Sequence, residues 1–310
     1  MAAAQAEVTR ATESGVFARP ARSLWRDAWF TFTRDRVAVA GLVVLAVIVV
    51  AALAGPYLWT TSSSDLDFAH SLNGPSPTHP FGTDDLGRDL FSRVMLGARI
   101  SIAVGITAVF LAITLGIAVG ALSGYFGRLD SPLMRITDLF LSLPVLPVLL
   151  VLVYLFRESL QRTIGQELGT FVMIVSVIGI LNWMPTARLV RASFLSLKQR
   201  EFVEAARAVG APDGRIIFRH ILPNSLSPVL VAATIGVGGA IITESTLSFL
   251  GLGFPPDYPT LGRILFDAVN YLDIAPHWAI FPGLAVFLIV LSINFIGDGL
   301  RDALDPRRKI

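Results

Sequence analysis

The chain has 310 residues, 54% of them hydrophobic and 15% charged, against roughly 25% charged in an ordinary globular protein. Mean hydropathy is +0.66, and the apolar residues fall in long blocks, which excludes a disordered chain, a fibrous repeat and a typical soluble enzyme. The formal charge of +2 comes from 23 Arg and two Lys against 23 acidic residues. Most of the Arg lie between apolar blocks, a distribution that points to a multi-span membrane protein and away from nucleic acid.

A bilayer span needs about 20 apolar residues. The sequence predicts an all-α membrane protein with six transmembrane helices, at 37–59, 99–124, 138–156, 169–187, 226–253 and 279–297. Residues 1–36 read as a cytoplasmic tail whose first 20 residues are mobile. The first span ends near Ala52-Leu53-Ala54, which resembles a signal-peptide cleavage site. Its 36-residue leader and an apolar run beyond the usual 7–15 or so favour a retained helix. In the outer loop that follows, His70, His79, Asp84 and Asp85 offer metal donors at a spacing that fits no template. The simpler expectation is a solvated loop ordered by Pro75, Pro77 and Pro80.

The second span carries Gly116, Gly120 and Gly124 at four-residue spacing, which lets another helix's backbone approach closely. Gly236, Gly238 and Gly239 on the fifth span suggest the same, with a hinge as the alternative. Between them lies the longest inner connection, 188–225. Within it Phe202, Ala205, Ala206 and Val209 follow i, i+3, i+4, i+7 and form one apolar helical face. Gly210 can end that helix, Pro212 prevents its continuation and Asp213 can cap a second helix, about 214–222, that ends before Pro223. From the residues alone, this helix–turn–helix is either a ridge for a partner's groove or a basic amphipathic loop on lipid headgroups.

Glu244 is the one carboxylate well inside a span, about 27 Å along a helix starting near Leu226 at roughly 1.5 Å per residue. It reads either as a pathway or gate residue with Ser245, or as a structural carboxylate satisfied by neighbouring hydroxyls; the second is favoured. Residues 261–272 pattern as an outer amphipathic helix, an interfacial anchor in preference to a gate. Counting Lys and Arg settles the expected orientation. Nineteen fall on the side of the termini and five on the other, with Arg99 at a boundary, so both termini are expected in the cytoplasm. The chain then divides into the tail 1–36, a first helix and outer loop 37–98, a five-helix core 99–300 containing loop 188–225, and a tail 301–310.

What drives such a protein is narrowed by what is missing from the sequence. No chain of intramembrane carboxylates and histidines exists to relay ions, which weakens secondary transport. Neither Lys198 nor Lys309 sits in a phosphate-binding G-x-x-x-x-G-K-[ST] loop, so any ATP-driven motor is another chain. There is no H-E-x-x-H or G-x-S-x-G pattern, and Cys is absent, which removes thiolate and Cys-metal chemistry. The sequence predicts a non-catalytic chain.

Glu204-Ala205-Ala206, Gly210 and Leu222-Pro223 resemble the EAA-x3-G-…-LP loop of membrane subunits of bacterial ABC importers, with His220 where Ile is usual. Further pieces resemble the second permease subunit of dipeptide/oligopeptide/nickel importers: His79–Asp89, Gly97–Ser101, Ala187–Arg191, Glu244–Gly253 and Gly297–Asp302. The resemblance implies a type I importer permease in the bacterial inner membrane that forms half of a peptide pathway. Its implied partners are a second homologous permease, two ATPase subunits, an extracytoplasmic substrate-binding protein, membrane lipid and peptide. No cofactor is implied in this chain; ATP and Mg would be bound by the ATPases, against which Glu204, Ala205, Ala206, Gly210, Leu222 and Pro223 would form the coupling helix. Nickel chelates, opines or another small solute are the alternative cargo, and a stand-alone channel or secondary carrier is the competing class.

Overall fold

The structure, a computed structural model, describes residues 24–304 apart from 60 and 62. Among the described residues every regular element is helical, and β-type pairing is confined to an isolated bridge between Thr83 and Asp89. The helices are α1 (Leu24–Arg34), α2 (Arg36–Leu58), α3 (Leu90–Tyr125), α4 (Gly127–Ser142), α5 (Val145–Ile164) and α6 (Gln166–Ile180). They continue as α7 (Met184–Leu197), α8 (Glu201–Ala208), α9 (Leu222–Phe249), α10 (Leu261–Ala268) and α11 (His277–Leu304).

Four stretches are long and apolar enough to cross a membrane: α2, α3, α11, and the continuous helix Asp213–Phe249 that contains α9. Two bent pairs, α4 with α5 at 89° and α6 with α7 at 45°, raise the number to as many as six. The predicted third span, 138–156, is therefore corrected, because it straddles the sharper bend. Pro144 sits at the N-cap of α5 and Leu143 is extended with ψ 139°, as expected for a residue forced out of the helical region by a following proline. The predicted fourth span crosses the second break, where Asn182 donates its side-chain amide to the Ile178 carbonyl at 2.7 Å and Pro185 opens α7.

Two boundaries also move. α3 begins at Leu90, not 99, because Asp89 caps it by accepting from the Ser92 amide at 2.9 Å. The division placed between 98 and 99 thus falls inside a helix. Part of the expected N-terminal tail is helical as well: α1 buries Ala28 and Phe32 at the end of α11. The mobile stretch expected over 1–20, and 305–310 of the C-terminal tail, lie outside the described residues.

Lipid offers no hydrophobic driving force between helices, so close approach has to come from small residues. The glycine stripe of α3 supplies it. A Cβ on Gly116, Gly120 or Gly124 would lie 2.5–2.6 Å from Thr186 Cβ, the Ala187 carbonyl and Phe194 Cβ, so α7 rests directly on α3. Gly236 and Gly238 instead meet Val109 and Val290 at ordinary contact distances and Gly239 faces open space, so the tight packing expected there is not formed. α4 is held to α7 by Arg188–Asp138 and by a bidentate Arg191–Asp130 pair at 2.5 and 2.7 Å.

Candidate functional site

The loop 198–222 is built on a firm base. Val203 and Ala206 of α8 are buried in a cluster with Tyr125 at the end of α3, Val190 and Phe194 of α7, Ile216 and Ile221 just before α9, and Val229 of α9. The α8 helix ends in a Schellman turn: the Gly210 amide donates to the Arg207 carbonyl at 2.9 Å and the Ala211 amide to the Ala206 carbonyl at 3.0 Å. Gly210 has φ +77°, the left-handed conformation that glycine adopts without cost. Glu201 and Glu204 occupy the first turn, where carboxylates favour the helix N-terminus.

The apolar face expected from 202, 205, 206 and 209 is split in the structure. Ala206 turns inward with Val203, while Phe202, Ala205 and Val209 remain outside, Phe202 at 42% and Val209 at 84% exposure. Phe218, 72% exposed, stands in the same loop. The expected helix end before Pro223 is also corrected. A helical turn, Asp213–Arg215, passes into a π-helical stretch, Ile216–Ile221, that runs on into α9. Proline lacks an amide and its ring collides with the carbonyl four residues back. The wider π-turn, with the Leu222 amide donating to the Ile217 carbonyl, lets the helix continue through Pro223.

Asp213 is not a cap, since Pro212 takes that position. Its carboxylate accepts from the Tyr125 hydroxyl at 2.5 Å, and Lys198 donates to the Tyr125 carbonyl at 2.6 Å. Tyr125 therefore clamps the loop to the end of α3 from both sides. Sequence reasoning missed it, because a lone Tyr after an apolar run carries no pattern.

At the other end of the same long helix, Glu244 has no exposed surface. Its two carboxylate oxygens accept from Ser101 of α3 and Ser248 of α9, each at 2.7 Å. The neighbouring Ser245 is buried, its hydroxyl oxygen unpaired. Against this junction lies the start of α10: a Cβ on Gly262 would lie 2.3 Å from the Ser245 carbonyl oxygen, and one on Gly97 3.2 Å from the Pro259 carbonyl. Glu244, Ser245 and the Gly97–Ser101 segment, distant in sequence, are thus brought together, whereas Glu204 lies at the opposite end of the helix. The 261–272 segment buries Leu261, Ile264 and Ala268 inside the chain, so it is a packed element and not a free amphipathic helix.

The loop before α3 is corrected from a solvated loop to a folded knot. Asp84 is fully buried, accepting from the Arg88 side chain at 2.6 Å and from the Leu86 and Arg88 amides at 2.9 Å. Gly87, at φ +74°, could not hold a side chain, because a Cβ would lie 1.8 Å from the Asp67 carbonyl. His79 pairs with Asp89 at 3.0 Å and His70 with Asp67 at 2.7 Å. Among the described residues no group of three or more His, Asp or Glu is arranged to hold a metal. Arg93, 2% exposed, lies 3.6 Å from Asp84 and 3.8 Å from Asp267 of α10, which pairs with Arg263 at 2.8 Å. Burial holds the Asp267 carboxyl above its usual range, against the pull of Arg263 and Arg93.

Comparison with known proteins matches residues 112–310 to the binding-protein-dependent transport system inner membrane component. Residues 23–75 match the N-terminal membrane domain of oligopeptide transport permease C. The chain is 41% identical to the dipeptide transport system permease protein DppC of Alkalihalophilus pseudofirmus, over 93% of this chain and 91% of the relative. It is 42% identical to the glutathione transport system permease protein GsiD of Pectobacterium atrosepticum, over 93% of each chain. It is 40% identical to the oligopeptide transport system permease protein OppC of Haemophilus influenzae, over 92% and 89%. A chain of the inward-facing MetNI methionine ABC transporter superposes with a TM-score of 0.53 at 23% identity, covering 67% of this chain and 94% of that one, a likeness of fold.

Proposed function

The chain belongs to the inner membrane components of binding-protein-dependent transport systems, and from that premise we propose that it is one permease subunit of an ATP-driven peptide importer. In this reading it spans the bacterial inner membrane six times with both termini inside and lines half of a pathway completed by a second, homologous permease. Two ATPase subunits bind ATP and Mg, an extracytoplasmic protein delivers the peptide, and this chain holds neither cofactor nor catalytic residue.

The observation that carries the proposal is the exposed ridge of α8 set on a buried, hydrogen-bonded base. Phe202, Ala205 and Val209 offer apolar surface to a partner while Val203, Ala206 and the Tyr125 clamp prevent the loop from yielding. Residues 213–249 form one uninterrupted helix of 37 residues, about 55 Å at the helical rise of 1.5 Å. A push on the ridge by a closing ATPase pair is therefore delivered along α9 to the outer junction, and through Tyr125 to α3. There the Glu244–Ser101 bond ties α3 to α9, which supports a structural role for Glu244 and Ser245 at the outer junction over contact with peptide.

The relatives support short peptides as cargo, glutathione included, since a glutathione permease is as similar as the dipeptide and oligopeptide ones. The test is ATP-dependent uptake of labelled di- to pentapeptides and glutathione into vesicles carrying the whole co-purifying complex and its binding protein. Uptake lost on altering Glu204 supports import and coupling route together. Binding-protein-stimulated ATPase without uptake of any of these moves the cargo to another small solute, and transport by this chain alone would reject the reading.

A further inference from the structure

α1 was absent from the sequence-based expectation, and its placement is fixed by its neighbour. α2 begins at Arg36, two residues after α1 ends, and has 23 residues, about 34 Å at the helical rise. The hydrocarbon core is about 30 Å thick, so a spanning α2 places Arg36 at its edge and α1 in the adjoining headgroup layer.

α1 uses one face for protein. Ala28 and Phe32, one turn apart, are buried where α11 ends, and a Cβ on Gly299 would lie 3.2 Å from the Phe32 ring and 2.3 Å from Ala38. The rest of its described surface is open. Trp29 is 63% and Phe30 53% exposed, and the side chains of Arg26, Arg34 and Arg36 all lie outside. Arg34 stacks over the Phe30 ring at 4.0 Å, and a cleft of about 320 Å³ is lined by Arg26, Asp27, Trp29 and Phe30. Asp35 is occupied in capping α2, accepting from the Val37 amide at 2.9 Å and from the Ala38 amide at 3.3 Å. Exposed aromatics interleaved with guanidiniums at headgroup depth match the chemistry of an anionic lipid surface, the rings sitting at the boundary and the Arg reaching phosphate.

We infer that α1 is an interfacial foot that selects anionic phospholipid, with Trp29 and Phe30 at the acyl boundary and Arg26 and Arg34 on lipid phosphate. The foot holds the start of α2 and the end of α11 at one depth, because both pack on its buried face. The inference goes beyond peptide import and does not depend on it.

The test is quenching of tryptophan fluorescence in the full-length chain, in lipid nanodiscs containing brominated phosphatidylglycerol or brominated phosphatidylcholine. Trp29→Phe isolates the contribution of that ring. The expected result is a Trp29 component quenched more strongly by the anionic lipid. That preference should fall by about fivefold for each guanidinium removed in Arg26→Gln and Arg34→Gln, with the helical circular dichroism unchanged. Equal quenching by both lipids would overturn the anionic selection. No Trp29-dependent quenching at all would mean that water or another protein chain covers α1, and would overturn the foot.

Discussion

In the knot before α3 Asp84 and Arg93 lie out of water beside charged groups of the same polypeptide, whereas in the loop after α7 Phe218 and Val209 stand 72% and 84% exposed. The first region has buried charges and the second has uncovered hydrophobes. A buried carboxylate is tolerated only when its hydrogen bonds are met, and Asp84 meets its own within this chain. Exposed apolar side chains on a fixed base mark a surface for another protein or for lipid, and the proposed function takes the first. The comparison separates an end whose buried charges are held by folding from a loop that leaves apolar side chains uncovered, and it predicts that mutations in the two places fail differently.

The largest loss of stability is expected at the end with the buried polar groups. Gly262→Val would drive a side chain into the Ser245 carbonyl, 2.3 Å from the new Cβ, and should cost about 3 kcal/mol, seen as a lowered thermal midpoint of the detergent-solubilised chain. Glu244→Ala leaves the Ser101 and Ser248 hydroxyls without their acceptor and should cost about 2 kcal/mol, while Glu244→Gln should retain most of that stability. An Ala variant with an unchanged midpoint but altered peptide preference would move Glu244 from the junction to the pathway.

At the other end the order reverses. Gly210→Ala forces a left-handed φ on a residue with a Cβ and should cost about 1 kcal/mol. Phe218→Ser and Val209→Asp should change the thermal midpoint least, within about 0.5 kcal/mol. The same two variants should nevertheless weaken capture of the ATPase subunits by at least about tenfold in pull-down. Equal loss of folding and capture would erase the contrast between the two ends.

Much of this was legible in the sequence, for reasons that differ by feature. The apolar runs announced α2, α3, α9 and α11 because lipid demands uninterrupted hydrophobicity, and Gly116, Gly120 and Gly124 announced the α3–α7 contact because only small residues permit it. The EAA-like pattern picked out the loop after α7 that the proposed function takes for coupling, and Gly210 ended α8 where its backbone freedom suggested. The bend at Pro144 was hidden inside a run that stayed apolar on both sides of it. The passage through Pro223 was hidden because a proline ordinarily stops a helix, and only the π-turn before it shows otherwise. Asp84, Arg88 and Arg93 read as a polar loop because charge suggests solvent; Arg93 is buried beside Asp267, more than 170 residues further on. α1 escaped notice because a short amphipathic helix beside a long apolar run contributes little to the average.

The most direct test of the account exploits the absence of cysteine from the chain. A single Ala205→Cys, on the exposed ridge, and a single Thr78→Cys, exposed on the loop before α3, are each cross-linked in membranes that contain the whole complex. The account predicts a covalent adduct between Ala205→Cys and an ATPase subunit, lost when Glu204→Arg is added, and none from Thr78→Cys. An adduct of similar yield from both positions, or one from Ala205→Cys that survives Glu204→Arg together with full uptake, would contradict it.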